Sequence, residues 1–292
     1  MFPPMPHPGG LGAVVTGAGD GIGRAIALEL AALGMRVAVL DIRADAAGET
    51  AAACARAGGR AIGVACDVSL ERDLEAAAAA VDRELGPVNV VWANAGVGTS
   101  GGLLSSPRET LRWLYAVNVD GVIDTVRAFM PALTAHADWR HVAVTGSMAG
   151  LTHVASGRPM AYAATKFAVT GVAEALRPEL GALGIGLTLV CPGSVDTRKW
   201  DGARARPERF GGPAPLPDDA GRDVRQSGVT AVGIARAAVQ AVREGKPLLM
   251  LPEDRARASL LEQRCAEILQ AMQIAEGSRG ESIRPPDQPL RD

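Results

Sequence analysis

The chain has 292 residues, with 30 Lys plus Arg against 32 Asp plus Glu, and its formal net charge of −2 argues against a nucleic-acid binder. No run of about 18 apolar residues is present, so no membrane span is expected. Four cysteines, at positions 54, 66, 191 and 265, form no CxxC pair and are too few for a disulfide scaffold, so reduced thiols, a cytoplasmic location and no metal site are expected.

The opening residues 1–10, MFPPMPHPGG, have neither a basic start nor an apolar stretch and read as an extension, not a secretory signal. Short apolar runs then recur at Ala13–Thr16, Val37–Leu40, Ile62–Cys66, Val88–Ala93, His141–Thr145, Leu187–Val190 and Leu248–Leu251. Nearly continuous runs of this kind are strands buried on both faces, as in a parallel sheet. Between them lie helical stretches of about a dozen residues or more, the length that a parallel crossover needs. Leu74–Leu85, rich in Ala with spaced charges, is the clearest of these. The alternation predicts a single α/β domain over residues 11–252, a doubly wound parallel sheet of about seven strands with helices on both faces. Two segments break the rhythm. Residues 198–228 are rich in Pro, Gly, Arg and Asp and have no period, which marks either a substrate lid or a disordered loop. Within residues 253–292, Glu253–Ala275 reads as one amphipathic helix, and the three prolines beyond Glu276 mark a tail that is either mobile or wraps a neighbour.

The first run feeds into Thr16-Gly17-Ala18-Gly19-Asp20-Gly21-Ile22-Gly23 and then into helix formers. In that context Gly17 allows a sharp turn, Gly21 lets the backbone approach a pyrophosphate, and Gly23 lets the helix pack against the strand. The helix N-terminus offers N–H groups and a positive dipole end to the phosphates. The second run ends at Asp41, which is either a strand-end turn residue or the acceptor for an adenosine ribose. In the second role it repels a 2′-phosphate, and Asp20 adds to that repulsion. The expected cofactor is NAD, with NADP disfavoured; Arg43, two residues on, weighs the other way.

Tyr162 and Lys166 are four residues apart and share one face of a helix. A free phenol has a pKa of about 10 and transfers protons poorly at neutral pH, whereas a neighbouring ammonium favours the phenolate. Ser147 follows the fifth run, at the carboxyl end of a central strand, where open α/β sheets bind ligands. A YxxxK spacing standing alone is as well explained by a solvated helix face. It does not stand alone. From about Gly12 to Leu251 the chain resembles the short-chain dehydrogenase/reductase family, in its single-domain NAD-preferring branch. The motifs occur in the family's order: the TGxxxGxG turn at Thr16–Gly23, Asp41, Asp67-Val68, Asn94-Ala95-Gly96, Asn118, Ser147, Tyr162 with Lys166, then Pro192-Gly193, Val195 and Thr197.

The resemblance implies a Rossmann fold and hydride transfer between a small-molecule secondary alcohol and its ketone. Tyr162 is then the general acid/base, Lys166 lowers its pKa and hydrogen-bonds the nicotinamide ribose, and Ser147 orients the substrate oxygen. Asn118 is implied to hold a water linking Lys166 to solvent. Asp67 and Val68 flank the adenine, while Asn94, Ala95 and Gly96 line the adenosine ribose. Pro192, Gly193, Val195 and Thr197 contact the nicotinamide end. Plainer readings stay open: Asp67 as a helix-start residue, Asn118 at a helix kink, Pro192-Gly193 as a turn. Pairing through the helices that hold Asn118 and Tyr162, into a homodimer or homotetramer, is implied as well. Two departures stand out. Fifteen positions separate Ser147 from Tyr162, more than is usual in the family, the excess falling in Thr152–Met160. Trp92 replaces a small aliphatic residue.

Trp200 and Phe210 are the aromatics of the 198–228 loop, and one of them either covers an apolar or aromatic substrate or packs the loop. Arg198, Lys199, Arg204, Arg206 and Arg209 either bind a carboxylate or are solvated beside Asp201, Glu208, Asp218, Asp219 and Asp223. The C-terminal region, with Arg264 and Ile268, loosely resembles that of relatives oxidising bulky aromatic alcohols. Rival readings are an NADP-dependent ketoreductase, which Asp41 and Asp20 oppose, and a non-catalytic dinucleotide-binding protein, which would lack the Ser–Tyr–Lys set. A dehydratase or epimerase of the extended branch would need a larger substrate domain.

Overall fold

A computed structural model describes residues 2–99, 101–152, 160–195, 203–213, 229–252 and 255–279, with side chains up to residue 272. The apolar runs form seven strands: β1 (Gly12–Thr16), β2 (Arg36–Asp41), β3 (Ala61–Ala65), β4 (Val90–Ala93), β5 (His141–Thr145), β6 (Gly186–Pro192) and β7 (Leu248–Leu251). All pair in parallel, in the order β3-β2-β1-β4-β5-β6-β7. The helices are α1 (Gly21–Ala32), α2 (Ala44–Arg56), α3 (Glu71–Leu85), α4 (Arg108–Tyr115), α5 (Gly121–Thr134), α6 (Met160–Ala182), α7 (Ala231–Arg243) and α8 (Arg255–Arg279). The result is the expected single doubly wound α/β domain.

Side chains alternate along each central strand, and the two faces build two cores. Val14, Ala38, Leu40, Val91, Val142 and Leu189 face α3, α5 and α6. Val15, Val37, Val39, Val90, Trp92 and Ala143 face α1, α2 and α7. Small residues keep the layers close: Ala27 and Ala31 of α1, Ala47 and Ala51 of α2, Ala235 and Ala238 of α7. Burial on both faces holds for β1, β2, β4, β5 and β6 but fails at the margins. There β3 and β7 have a neighbour on one side only, and Leu248 and Met250 stay exposed.

β4 starts at Val90, two residues later than the apolar run, because the buried Asn89 acts as a clamp. Its Oδ1 accepts from Gly12 N–H at 2.9 Å, and its Nδ2 donates to the Trp139 carbonyl at 3.1 Å. Residues 2–10 lie along the amino edge of the sheet. Met5 N–H donates to Arg243 O at 2.7 Å, and Trp139 Nε1 donates to Pro3 O at 2.9 Å. The last helix runs to Arg279, beyond the expected end at Ala275, and only its first half is amphipathic in practice. Arg257, Leu260, Leu261 and Arg264 are half-buried, whereas Cys265–Met272 are exposed. Of the 198–228 loop, residues 203–213 are described; they form two tight helical turns beside α4.

Candidate active site

In the strand order, β1 and β4 are neighbours whose connections depart in opposite directions, and this leaves a crevice at their carboxyl ends. A cavity of about 430 Å³ occupies it. Its walls are the segments that leave β1, β2, β3, β4, β5 and β6, together with α4, α6, residues 204–207 and α8.

The glycine turn has the geometry its spacing demands. Gly17 and Gly21 have φ of +61° and +56°, where a side chain is strained. A Cβ on Gly23 would collide with the Gly17 carbonyl and the Asn94 amide, so the residue lets α1 start against the strand. Asp20 caps α1, its carboxylate accepting from Gly21 N–H at 2.7 Å. Arg24 N–H bonds to Asp20 O, while helix geometry leaves the N–H groups of Ile22 and Gly23 without partners inside α1. Both residues border the cavity.

Asn94 ties the turn to the rest of the site. Its Nδ2 donates to Thr16 O at 2.9 Å and Gly17 O at 3.2 Å, and its Oδ1 accepts from Thr145 Oγ1 at 3.0 Å. Thr16 Oγ1 in turn accepts from the N–H groups of Asn94 and Ala95 at 3.0 and 3.1 Å. Trp92, fully buried between β1 and β5, donates from Nε1 to Thr145 Oγ1 at 3.1 Å. A large indole at this position therefore has a polar task as well as a packing one.

Thr145 is also the anchor of Lys166, whose Nζ donates to the Thr145 carbonyl at 2.8 Å. Lys166 is only 3% exposed, and its Nζ lies 5.9 Å from the centre of the Tyr162 ring. Tyr162, on the first turn of α6, is 5% exposed. Ser147 caps the short turn Met148–Gly150, its Oγ accepting from Ala149 N–H at 3.1 Å, which leaves its own hydrogen for another acceptor. Ser147, Tyr162 and Lys166 all line the cavity.

Asn118 sits in a π-helical turn, Ala116–Asp120, where the chain passes from α4 to α5. Both of its amide hydrogens are engaged, by Val97 O at 3.0 Å and Thr165 Oγ1 at 2.9 Å, and its Oδ1 accepts from Val97 N–H at 2.8 Å. The amide thus fixes the loop after β4. A Cβ on Gly96 would stand 3.4 Å from Asn118 Oδ1 and 3.6 Å from Lys166 Nζ. The two groups border one small space that glycine keeps open.

At the other end of the cavity, Asp41 Oδ2 accepts from Gly19 N–H at 2.9 Å and Oδ1 from Arg43 N–H at 3.1 Å. Each oxygen keeps a further lone pair, which fits the adjacent hydroxyls of a ribose. Arg43 Nε lies 3.5 Å from Asp41 Oδ1, so this guanidinium is tied to the carboxylate. Asp67 and Val68 line the cavity as well, and Asp67 does more than either sequence reading held. Its Oδ1 accepts from Ser69 Oγ at 2.6 Å, and its Oδ2 accepts from Arg209 Nη2 at 2.6 Å. Ala95, Gly96, Pro192, Gly193 and Val195 line the same cavity.

Thr197, Arg198, Lys199 and Trp200 lie outside the described residues. So do residues 153–159, where the extra length before Tyr162 was placed. Phe210 packs against the core on the α3, α5 and α6 side, with Arg209 stacked 4.8 Å over its ring, and is not part of the cavity wall. Burial pushes the cavity-lining Cys66 thiol up to about 12 and Cys191, behind Ser147, up to about 11, so neither is a nucleophile at neutral pH. No cluster of metal-ligating side chains and no helix long and apolar enough to cross a membrane occurs among the described residues. Sequence reasoning missed Thr145 and Arg257, and also wall residues such as Val97, Trp113 and Met148, and it noted Trp92 without its polar role. The spacing of Arg257, Leu261 and Arg264 along α8 was the available signal for Arg257.

Comparison with known proteins agrees with this geometry. A family model described as short chain dehydrogenase matches residues 12–208. The "Probable oxidoreductase EphD" of Mycobacterium tuberculosis is 39% identical over 183 residues, 63% of this chain but 31% of that protein. The chain thus spans about a third of the length of that relative. The 1-deoxy-11-beta-hydroxypentalenate dehydrogenase of Streptomyces exfoliatus is 36% identical over 202 residues, 68% of this chain and 72% of that enzyme. A short chain dehydrogenase/reductase from Burkholderia phymatum, solved in complex with NAD, superposes with a TM-score of 0.83 at 31% identity, covering 98% of this chain and 100% of that one. With the glycine turn, the parallel sheet and the Ser147, Tyr162 and Lys166 cleft, these matches place the chain in the short-chain dehydrogenase/reductase family.

Proposed function

We propose that this chain is an NAD-dependent oxidoreductase that interconverts a secondary alcohol and a ketone. The carrying observation is that Ser147, Tyr162 and Lys166 border the same cavity as the glycine turn and Asp41. Bound NAD would supply the hydride acceptor. The chain's own groups do the rest. Ser147 Oγ–H holds the substrate oxygen, and Tyr162 removes its proton in oxidation and returns it in reduction. The Lys166 ammonium, fixed on Thr145 O, stabilises the phenolate, each unit of pKa depression representing about 1.4 kcal/mol. The space beside Gly96 would hold a water that donates to Asn118 Oδ1 and links Lys166 to solvent for proton relay. Asp41 receives the adenosine ribose, and Ile22 and Gly23 present their N–H groups to the pyrophosphate.

Supporting this reading, the Burkholderia relative was solved with NAD, and the Streptomyces relative is named for dehydrogenating a hydroxylated compound. Apolar cavity residues, among them Val97, Trp113 and Met148, suit a bulky apolar or aromatic substrate. We further propose that copies of the chain pair through α5 and α6.

The test is a panel of secondary alcohols with NAD and NADP, followed by absorbance of the reduced nicotinamide. Tyr162→Phe is expected to lower kcat by about 10²–10⁴-fold, the usual worth of a general acid/base. A Tyr162→Phe variant as active as the parent would refute the proton-transfer role. Asp41→Ala is expected to narrow the preference for NAD over NADP; an unchanged ratio refutes that assignment.

A further inference from the structure

Residues 203–213 follow β6 in the chain, yet they reach the segment that leaves β3. In the sheet order β6 and β3 are five steps apart, a span of about 24 Å at the usual strand spacing. The link is Arg209. Its Nη2 donates to Asp67 Oδ2 at 2.6 Å and to Ser69 Oγ at 2.7 Å. Ser69 donates in turn to Asp67 Oδ1, from Oγ at 2.6 Å and from its N–H at 3.0 Å, so both carboxylate oxygens are engaged in one cluster. The guanidinium is stacked 4.8 Å over Phe210, which packs on the core. A planar fork held in this way loses little freedom for each bond it makes.

The segment that carries Arg209 is folded on itself. Gly212 N–H donates to Pro207 O at 3.2 Å, and Arg206 Nε donates to Gly212 O at 2.6 Å. Arg206 also fastens the unit to α4, with Nη1 donating to Thr110 Oγ1 at 3.1 Å and its guanidinium 5.7 Å over the Trp113 ring. Ala203 is buried in the core at the near end. The unit thus has a separate anchor on α4 and another on Asp67. Arg204, Ala205 and Pro207 line the cavity together with Asp67 and Val68, so the docked segment and its latch border the same space. A dinucleotide with its pyrophosphate on the glycine turn and its ribose on Asp41 has its adenosine half beside that latch.

We infer that Arg209 is a positioning residue for the cofactor: by latching residues 203–213 to Asp67 and Ser69 it makes them a strap over the adenosine half, and the dinucleotide leaves when the latch opens. The inference rests on the oxidoreductase reading above, and within it on the bound dinucleotide. The latch is charge-assisted and only partly buried, with the Arg209 side chain 38% and the Asp67 side chain 11% exposed, so it is strong enough to hold the strap and open enough to water to release it.

NADH release is read by stopped-flow fluorescence as excess NAD displaces it from the full chain, or with NADPH and NADP if that pair binds more tightly. Arg209→Leu is expected to speed release by about tenfold or more, in line with the loss of a hydrogen bond to a charged group. Arg209→Lys keeps one charged donor and should recover part of the slow release. Arg206→Leu touches neither Asp67 nor Ser69, yet it loosens the same unit and should speed release by about threefold or more. Faster release in Arg209→Leu without any change in Arg206→Leu places the effect in the Asp67 carboxylate alone and overturns the strap. Hydrogen exchange on the parent needs no variant: ADP-ribose should slow exchange in peptides from residues 204–212, and unchanged exchange there overturns the inference as well. Release from Arg209→Leu within about twofold of the parent overturns it while the oxidoreductase reading stands. A parent that binds neither NADH nor NADPH ends both.

Discussion

Asn94→Ala tests whether the site is held together as one polar network. The substitution removes three side-chain hydrogen bonds, to Thr16 O, Gly17 O and Thr145 Oγ1. At about 0.5–1.5 kcal/mol net for each, the loss is about 3 kcal/mol. For a domain of this size that corresponds to a fall in Tm of roughly 6–12 °C. Thr145 Oγ1 would still accept from Trp92, so the loss falls mainly on the glycine turn, and NADH affinity should weaken together with Tm. Asn94→Asp sharpens the test. It keeps the shape but turns a carboxylate oxygen toward the two carbonyl oxygens that now accept from Nδ2. Repulsion then replaces attraction, and Asn94→Asp should be less stable than Asn94→Ala at neutral pH. Scanning calorimetry and NADH fluorescence titration read both quantities. If Asn94→Asp melts with the parent, the amide is not a donor to the turn and the network described here is wrong.

Two further predictions follow from equally local geometry. His141 is wholly buried; Thr188 Oγ1 gives its hydrogen to Lys246 O at 2.6 Å, so His141 Nε2, 2.7 Å from that hydroxyl, must be the donor. Nδ1 is then a bare acceptor with no hydrogen-bond partner, and burial pushes the imidazole down from 6.5 to about 3. The unfolded chain binds this proton more readily, so stability falls as pH drops below about 6.5, by up to about 1.4 kcal/mol per unit and about 5 kcal/mol in all near pH 3. Urea midpoints across that range should show this slope in the parent and its loss in His141→Phe, and an NMR titration placing His141 near 6.5 would refute it. Gly96→Ala should leave Tm nearly unchanged, because its Cβ meets Asn118 Oδ1, Lys166 Nζ and Asn94 O at ordinary contact distance, yet kcat should fall by about tenfold as the water space fills. Unchanged kcat would show that no proton passes there.

Much of the fold was legible because a parallel sheet writes itself into short stretches of sequence. Each central strand is an apolar run, and each crossover a helix of the required length. What sequence could not supply was position in the sheet. Leu248–Leu251 looks like a buried strand, but only the strand order makes it an edge with Leu248 and Met250 exposed. The glycine turn was legible for the same local reason: Gly17, Gly21 and Gly23 act within one turn of chain. Tyr162 and Lys166 carried a weak signal by spacing, and only their company made it specific. The polar chain from Trp92 through Thr145 to Asn94 was invisible. It joins side chains on neighbouring strands whose register sequence does not state, and Trp92 looked only like an oversized core residue.

This division tracks the chemistry. The half of the cavity built on β1, β2 and β4 is made of backbone N–H groups, small residues and short-range caps, so a few adjacent residues specify it. The other half is assembled from Ser147, Tyr162, residues 204–207 and Arg257, which come from four separate segments of the chain. Its shape depends on how α8 and residues 203–213 dock, through contacts such as Arg264 on Phe167, Arg206 5.7 Å over Trp113, and Arg209 on Asp67. Each of those contacts uses an arginine against an aromatic ring or a carboxylate far away in sequence. Under the proposed function, substrate preference would therefore change by altering a few long side chains on α8 and residues 203–213, while the strands, the glycine turn and the Tyr162–Lys166 pair stay as they are.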